Sequence, residues 1–117
     1  VMVARRDTFE KFALPMEGLE CEISDLLANI QKTMFEQARD FRDEHTVEVH
    51  NYEELKVAVE GGFAKGMWCG DAACEEKLKA DINATTRNMP FDQTPCGDTC
   101  CVCGKRATKL MYFAKAY

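Results

Sequence analysis

Histidine and proline are scarce here, and an excess of positive charge is missing altogether. Only two histidines, three prolines and one tryptophan occur among 117 residues. His45 and His50 stand near no plausible nucleophile and bracket a short strand pattern, so both read as surface residues. No glycine loop is built to cradle phosphate, since Gly61-Gly62 and Gly66 lack the spacing and the following Lys-Ser/Thr. The net charge of −5 argues against a module that lives on phosphate contacts. No stretch approaches the roughly 18 apolar residues of a membrane span. The amino terminus, Val1 to Asp7, lacks the apolar core of about 7–15 residues found in a signal peptide. A cytoplasmic protein without a membrane partner is therefore expected. The acidic residues fall on solvated helix faces, so no catalytic residue is expected in this chain.

Cysteine is what the chain has in quantity. Six of its seven cysteines lie in the last 49 residues: Cys69, Cys74, Cys96, Cys100, Cys101 and Cys103. Cys69 and Cys74 bracket Gly70 and Asp71; about 25 residues on, Cys100 and Cys103 form a second close-set pair, followed by Gly104. Two close-set pairs joined by a returning chain are what a tetrahedral four-thiolate Zn²⁺ site requires. In Cys-x2-Cys-Gly the glycine relieves the turn and leaves backbone N–H groups facing sulfur. Disulfides fit less well, because seven is odd and a reducing compartment is expected. A redox pair would favour Cys-x-x-Cys at a helix start, whereas Cys100 and Cys103 fall in a loop. Four thiolates around a dication add two negative charges, giving about −7. Lys105, Arg106 and Lys109, beside the second pair, offset part of that charge.

The chain divides into three stretches. Residues 1–15 open with an apolar run, Val1 to Ala4, for which nothing earlier in the chain offers a strand partner. An amphipathic stretch ending at Pro15 follows. Residues 16–45 hold the longest periodic signal: Leu19, Ile23, Leu26, Leu27, Ile30, Met34, Ala38 and Phe41 recur at three- and four-residue steps. That spacing predicts an amphipathic helix from about Glu17 to Asp43, with Cys21 buried or half-buried in its stripe. Residues 46–117 read as β-α-β-α-β-β, an α+β two-layer domain with helices on one face of a small mixed sheet. Thr46–Val49 is the first strand. Asn51 caps a helix, with Glu54 completing a capping box and Gly61-Gly62 stopping it. Phe63–Trp68 runs into Cys69, and Asp71 caps a second helix whose first turn holds Cys74, where free N–H groups favour a thiolate. Ala84–Met89 and Thr108–Ala114 complete the sheet around a cysteine loop, Pro90 to Gly104.

Several segments together resemble the carboxy-terminal portion of class II prolyl-tRNA synthetases of the archaeal/eukaryotic-like type. They are Val3-Ala4-Arg5-Arg6-Asp7 with Lys11, the helix from Leu26 to Met34, and Trp68-Cys69-Gly70-Asp71 with Cys74-Glu75. Ile82, Thr85, Arg87, Pro90-Phe91, Cys100 with Cys103-Gly104-Lys105, and the closing Tyr112 to Tyr117 continue the match. The resemblance implies a carboxy-terminal α/β unit like that of translation initiation factor three, with a structural zinc held by Cys69, Cys74, Cys100 and Cys103. Cys101 competes with Cys100 for the third position, and Cys96 lies nearby. By the same resemblance, residues 1–15 close an anticodon-binding domain, residues 16–45 form a linker helix, and residues 46–117 are the zinc-binding domain. Tyr117 would send its terminal carboxylate towards the catalytic domain. ATP, Mg²⁺ and tRNA(Pro) would belong to the intact ligase, whose remaining domains are the partners. Cut free, the chain is expected to self-associate through its first 45 residues. The alternative is a free-standing zinc module for nucleic acid or another partner.

Overall fold

Short apolar runs bounded by charge build the amino-terminal unit, residues 1–43, and alternating strand and helix patterns build the second, residues 44–117. The computed structural model describes every residue from 1 to 117. Strand β1 (Met2–Ala4) pairs antiparallel with β2 (Lys11–Ala13), Val3 opposite Phe12. The sequence offers Val1–Ala4 no strand partner before it. The partner comes after it, because the stretch before Pro15 is itself extended. The reversal turns on Phe9 at φ 60° and closes where Arg5 N–H donates to Glu10 O at 2.9 Å. Inside it the Arg5 guanidinium grips Asp7 by two hydrogen bonds, at 3.0 and 2.7 Å. Arg5's hydrogen bond holds the Asp7 carboxyl below its usual range.

Helix α1 (Leu19–Glu44) runs 26 residues, with Glu20 and Glu22 in its first turn and Arg42 in its last, as the helix dipole favours. Leu19, Ile23, Leu26 and Ile30 are half-buried along one line, and Arg5 reaches Asn29 at 2.8 Å. No residue of the helix is fully buried, and Leu27, Met34, Phe35 and Phe41 are exposed. Cys21 is exposed as well, contrary to the sequence reading. It sits two residues, about 200° of helix, from Leu19 and so points away from that line.

The second unit runs β3 (Thr46–Val49), α2 (Tyr52–Gly61), β4 (Phe63–Trp68), α3 (Ala72–Ile82), β5 (Ala84–Thr86) and β6 (Lys109–Lys115). Its mixed sheet has the order β3-β4-β6-β5; β3 and β4 are parallel, and β6 is antiparallel to both neighbours. The last strand therefore lies inside the sheet, and Phe113 faces Ala64 on one side and Thr86 on the other. β5 is shorter than the expected Ala84–Met89. Arg87 N–H donates to Tyr112 O while Asn88 O accepts from Tyr112 N–H, so two residues oppose one and the ladder ends before Pro90. Leu55 and Val59 of α2 and Leu78 of α3 pack with Leu110 and Phe113 into the core. Gly66 admits a close approach here: a Cβ at that position would lie 2.9 Å from Val49 Cγ2 and 3.1 Å from Cys101 Sγ.

Both helices of this unit start as expected. Asn51, extended at φ −145°, accepts the Glu54 N–H at 3.0 Å, and Asp71 accepts the Ala73 N–H at 3.0 Å. Glu54 answers by taking the His50 N–H at 2.8 Å and the Asn51 side-chain amide at 2.7 Å. Replacing Asn51 by Ala removes its two side-chain hydrogen bonds with Glu54 while leaving the one from His50 N–H, and about 1 kcal/mol of unfolding free energy is expected to go with them. Urea denaturation of N51A beside the parent chain measures the change; a difference within error would mean that solvent caps α2 equally well.

Candidate metal centre

The centre is assembled where β4 runs out and α3 begins. Cys69 follows the last residue of β4, Gly70 turns the chain at φ 85°, and Asp71 starts the helix that carries Cys74 in its first turn. The second knuckle is a tight hairpin: Cys100 N–H donates to Lys105 O at 2.7 Å, and Gly104 N–H donates back to Cys100 O at 2.9 Å. Gly104 takes φ 73°, a conformation that side chains resist. Cys101 N–H donates to Met67 O at 2.9 Å and ties this hairpin to β4.

The sulfurs of Cys69, Cys74, Cys100 and Cys103 all lie within 4.8 Å of one another. Cys69 Sγ is 3.6 Å from Cys74 Sγ and 3.8 Å from Cys103 Sγ. Four thiolates at about 2.3 Å from a tetrahedral Zn²⁺ would stand about 3.8 Å apart, so this donor set fits the ion in both chemistry and spacing. Burial, then the neighbouring Cys103 and Cys69, push the Cys74 thiol up. Desolvation and like neighbours thus work against the thiolate that the helix start is expected to favour. Cys100 is also pushed up by burial, against the N–H groups of Cys103, Val102 and Cys69. Burial acts the same way on Cys103, but the Lys105 N–H and the surrounding thiols outweigh it and bring this exposed group down.

Cys101 is elsewhere. It is 1% exposed, its sulfur lies against Gly66, and burial pushes its thiol up to about 12. Cys96 is half-buried against the core and also stands outside the group of four. Tyr117 is exposed, with the Arg87 guanidinium 5.9 Å from its ring centroid. Just before it, Arg87 donates to Lys115 O, Ala116 N–H donates to Asn83 O at 2.7 Å, and Lys115 pairs with Glu60 at 2.6 Å. Sequence reading missed Gln93, which clamps the cysteine loop to β6. Its Oε1 takes the Leu110 N–H at 2.8 Å and its amide donates to Leu110 O at 3.2 Å. A polar residue in a loop gives no sign that it will imitate a strand partner.

The family profile described as "Prolyl-tRNA synthetase, C-terminal" matches residues 52–117, which include all four grouped cysteines. This chain belongs to the prolyl-tRNA synthetase C-terminal family. It is 46% identical to a proline–tRNA ligase 2 of Bacillus cereus over 119 aligned residues, which take in 100% of this chain and 25% of that protein. Proline–tRNA ligase 2 of Clostridioides difficile is 48% identical, over 99% of this chain and 24% of its own length. The crystal structure of prolyl-tRNA synthetase from Cryptosporidium parvum complexed with halofuginone and AMPPNP superposes with a TM-score of 0.88. The two share 27% identity, across 99% of this chain and 25% of that one. The chain thus spans about a quarter of the relatives it matches, and it is homologous to the carboxy-terminal part of these ligases. A free-standing module is not favoured. No helix is long and apolar enough to cross a membrane.

Proposed function

We propose that this is the zinc-binding carboxy-terminal domain of a proline–tRNA ligase of the archaeal/eukaryotic-like type. It would support the ATP- and Mg²⁺-dependent attachment of proline to tRNA(Pro) in the cytoplasm. The four sulfurs gathered within 4.8 Å carry the reading. When bound, zinc supplies a crosslink and no chemistry, since four protein thiolates leave no open position for water or substrate. Cys69 and Cys74 hold the end of β4 and the start of α3, and Cys100 and Cys103 hold the loop that leads into β6. Residues 46–117 would form a unit like that of translation initiation factor three. Residues 1–15 would close the anticodon-binding domain, 16–45 would link the two, and Tyr117 would direct its carboxylate to the catalytic domain. About one equivalent of zinc is expected in protein purified without chelator. Elemental analysis checks it: less than half an equivalent, or zinc retained by C100S and lost by C101S, overturns the assignment.

The exposed apolar residues of α1 favour a proposal about the chain on its own. Burying a Leu or Phe is worth about 1.5–3 kcal/mol, so Leu27, Met34, Phe35 and Phe41 together favour association. Sedimentation at tens of micromolar is expected to detect oligomers of residues 1–117 and monomers of a chain starting at Thr46. A strictly monomeric longer chain would sink the proposal.

A further inference from the structure

β3 is an outer strand of the sheet, and along it the second unit carries a groove that none of the roles above uses. The groove, about 630 Å³, runs between β3 and α2. Val47, Val57 and Ala58 give it an apolar floor, with Val47 49% and Val57 76% exposed. Glu44, Glu48 and Glu53 stand at its rim. Lys65 and His50 lie 3.9 and 3.7 Å from Glu48, and Lys56 lies 2.9 Å from Glu53. Neither lysine lines the groove, whose walls carry the carboxylates of Glu44, Glu48, Glu53 and Glu54 beside the single imidazole of His45, so acidic groups dominate it. Exposed aliphatic side chains ringed by polar ones mark an interaction surface, and an outer strand beside a helix suits an added strand or an amphipathic helix.

We infer that this groove receives a basic, apolar segment from the remaining three-quarters of the synthetase, the part of its relatives that this chain does not span. Charge selects that occupant. A symmetric pairing of two copies through the groove would set glutamate against glutamate on chains that already carry −5. A segment with Lys or Arg flanking its apolar residues meets the rim with opposite charge and covers Val47 and Val57. The inference rests on the reading of this chain as a domain of the ligase, but it concerns a face that lines no part of the cysteine cluster.

Carbodiimide crosslinking with mass spectrometry on the full-length enzyme carrying this sequence tests it, because the reagent joins only contacting carboxylates and lysines. Glu53 and Lys56 supply the internal control. A crosslink is expected from Glu44, Glu48 or Glu53 to a lysine outside residues 1–117, falling at least fivefold in V57D while the Glu53–Lys56 product persists. Val57 is exposed enough for that change to leave the core alone. The control product without the long-range one overturns the inference. So does a crosslink only to a second copy or to a separate protein, or one that V57D leaves unchanged. Proline attachment assayed on the same preparation separates the two readings. An enzyme that charges tRNA without the crosslink refutes the docking alone, and one that crosslinks without charging refutes the ligase reading alone.

Discussion

Removing the zinc proposed for the four thiols is expected to unfold the carboxy-terminal half of this chain while leaving α1 largely helical. Structural zinc contributes about 10–16 kcal/mol in small zinc-dependent folds, as much as or more than the 5–15 kcal/mol that stabilises a typical domain. Here the crosslink would join the end of β4, the start of α3 and the loop entering β6, so three of the pieces around the core depend on it. C100S or excess chelator should abolish hydrogen-exchange protection from about Gly62 onward. Residues 1–43, which form their own hairpin and helix, should be less affected. Trp68, the only tryptophan and the neighbour of Cys69, should report loading through its emission. The pH dependence has a definite sign. Each ligand thiol must lose its proton before it binds, so loading releases up to about four protons and affinity falls as pH falls. Uniform loss of protection along all 117 residues would show that the site supports the whole fold. Affinity independent of pH between 5 and 7 would exclude thiolate ligation.

Truncating Phe113 is expected to cost about 3–5 kcal/mol, the range for a buried aromatic replaced by Ala. Phe113 is 0% exposed and belongs to β6, which has a strand on either side. A hole there is walled by β4 and β5 and has little freedom to collapse. Phe91, fully exposed in the cysteine loop, is the matched control, and F91A should stay within about 0.5 kcal/mol of the parent. Urea denaturation of zinc-loaded protein measures both. A loss below about 1 kcal/mol for F113A would mean that the sheet relaxes around the gap.

The elements of residues 46–117 were largely legible because their signals are local. Asn51 with Glu54, Gly61-Gly62 and Asp71 mark helix ends through hydrogen bonds that span only a few residues. The 3.6-residue rhythm placed α1 to within two residues at its start and one at its end. The two cysteine knuckles were visible for the same reason, each being a short turn with a glycine in or beside it. Residue spacing, however, says only which sulfurs lie close along the chain.

Tertiary structure decided the rest. Cys100 and Cys101 are neighbours of one kind, yet the hairpin sends Cys100 to the other three thiols and Cys101 into the space beside Gly66. That choice depends on β4, more than 30 residues away in sequence, through the bond from Cys101 N–H to Met67 O. The place of β6 between β4 and β5, the partner found by β1, and the exposure of Cys21 likewise depend on contacts that no local pattern encodes. The sequence by itself determined the helices, most of the strands and the two knuckles, because backbone hydrogen bonding and apolar rhythm act over a few residues. Only the folded chain decided which strand lies innermost and which thiols converge, because those follow from how the sheet and the cysteine loop exclude one another's volume.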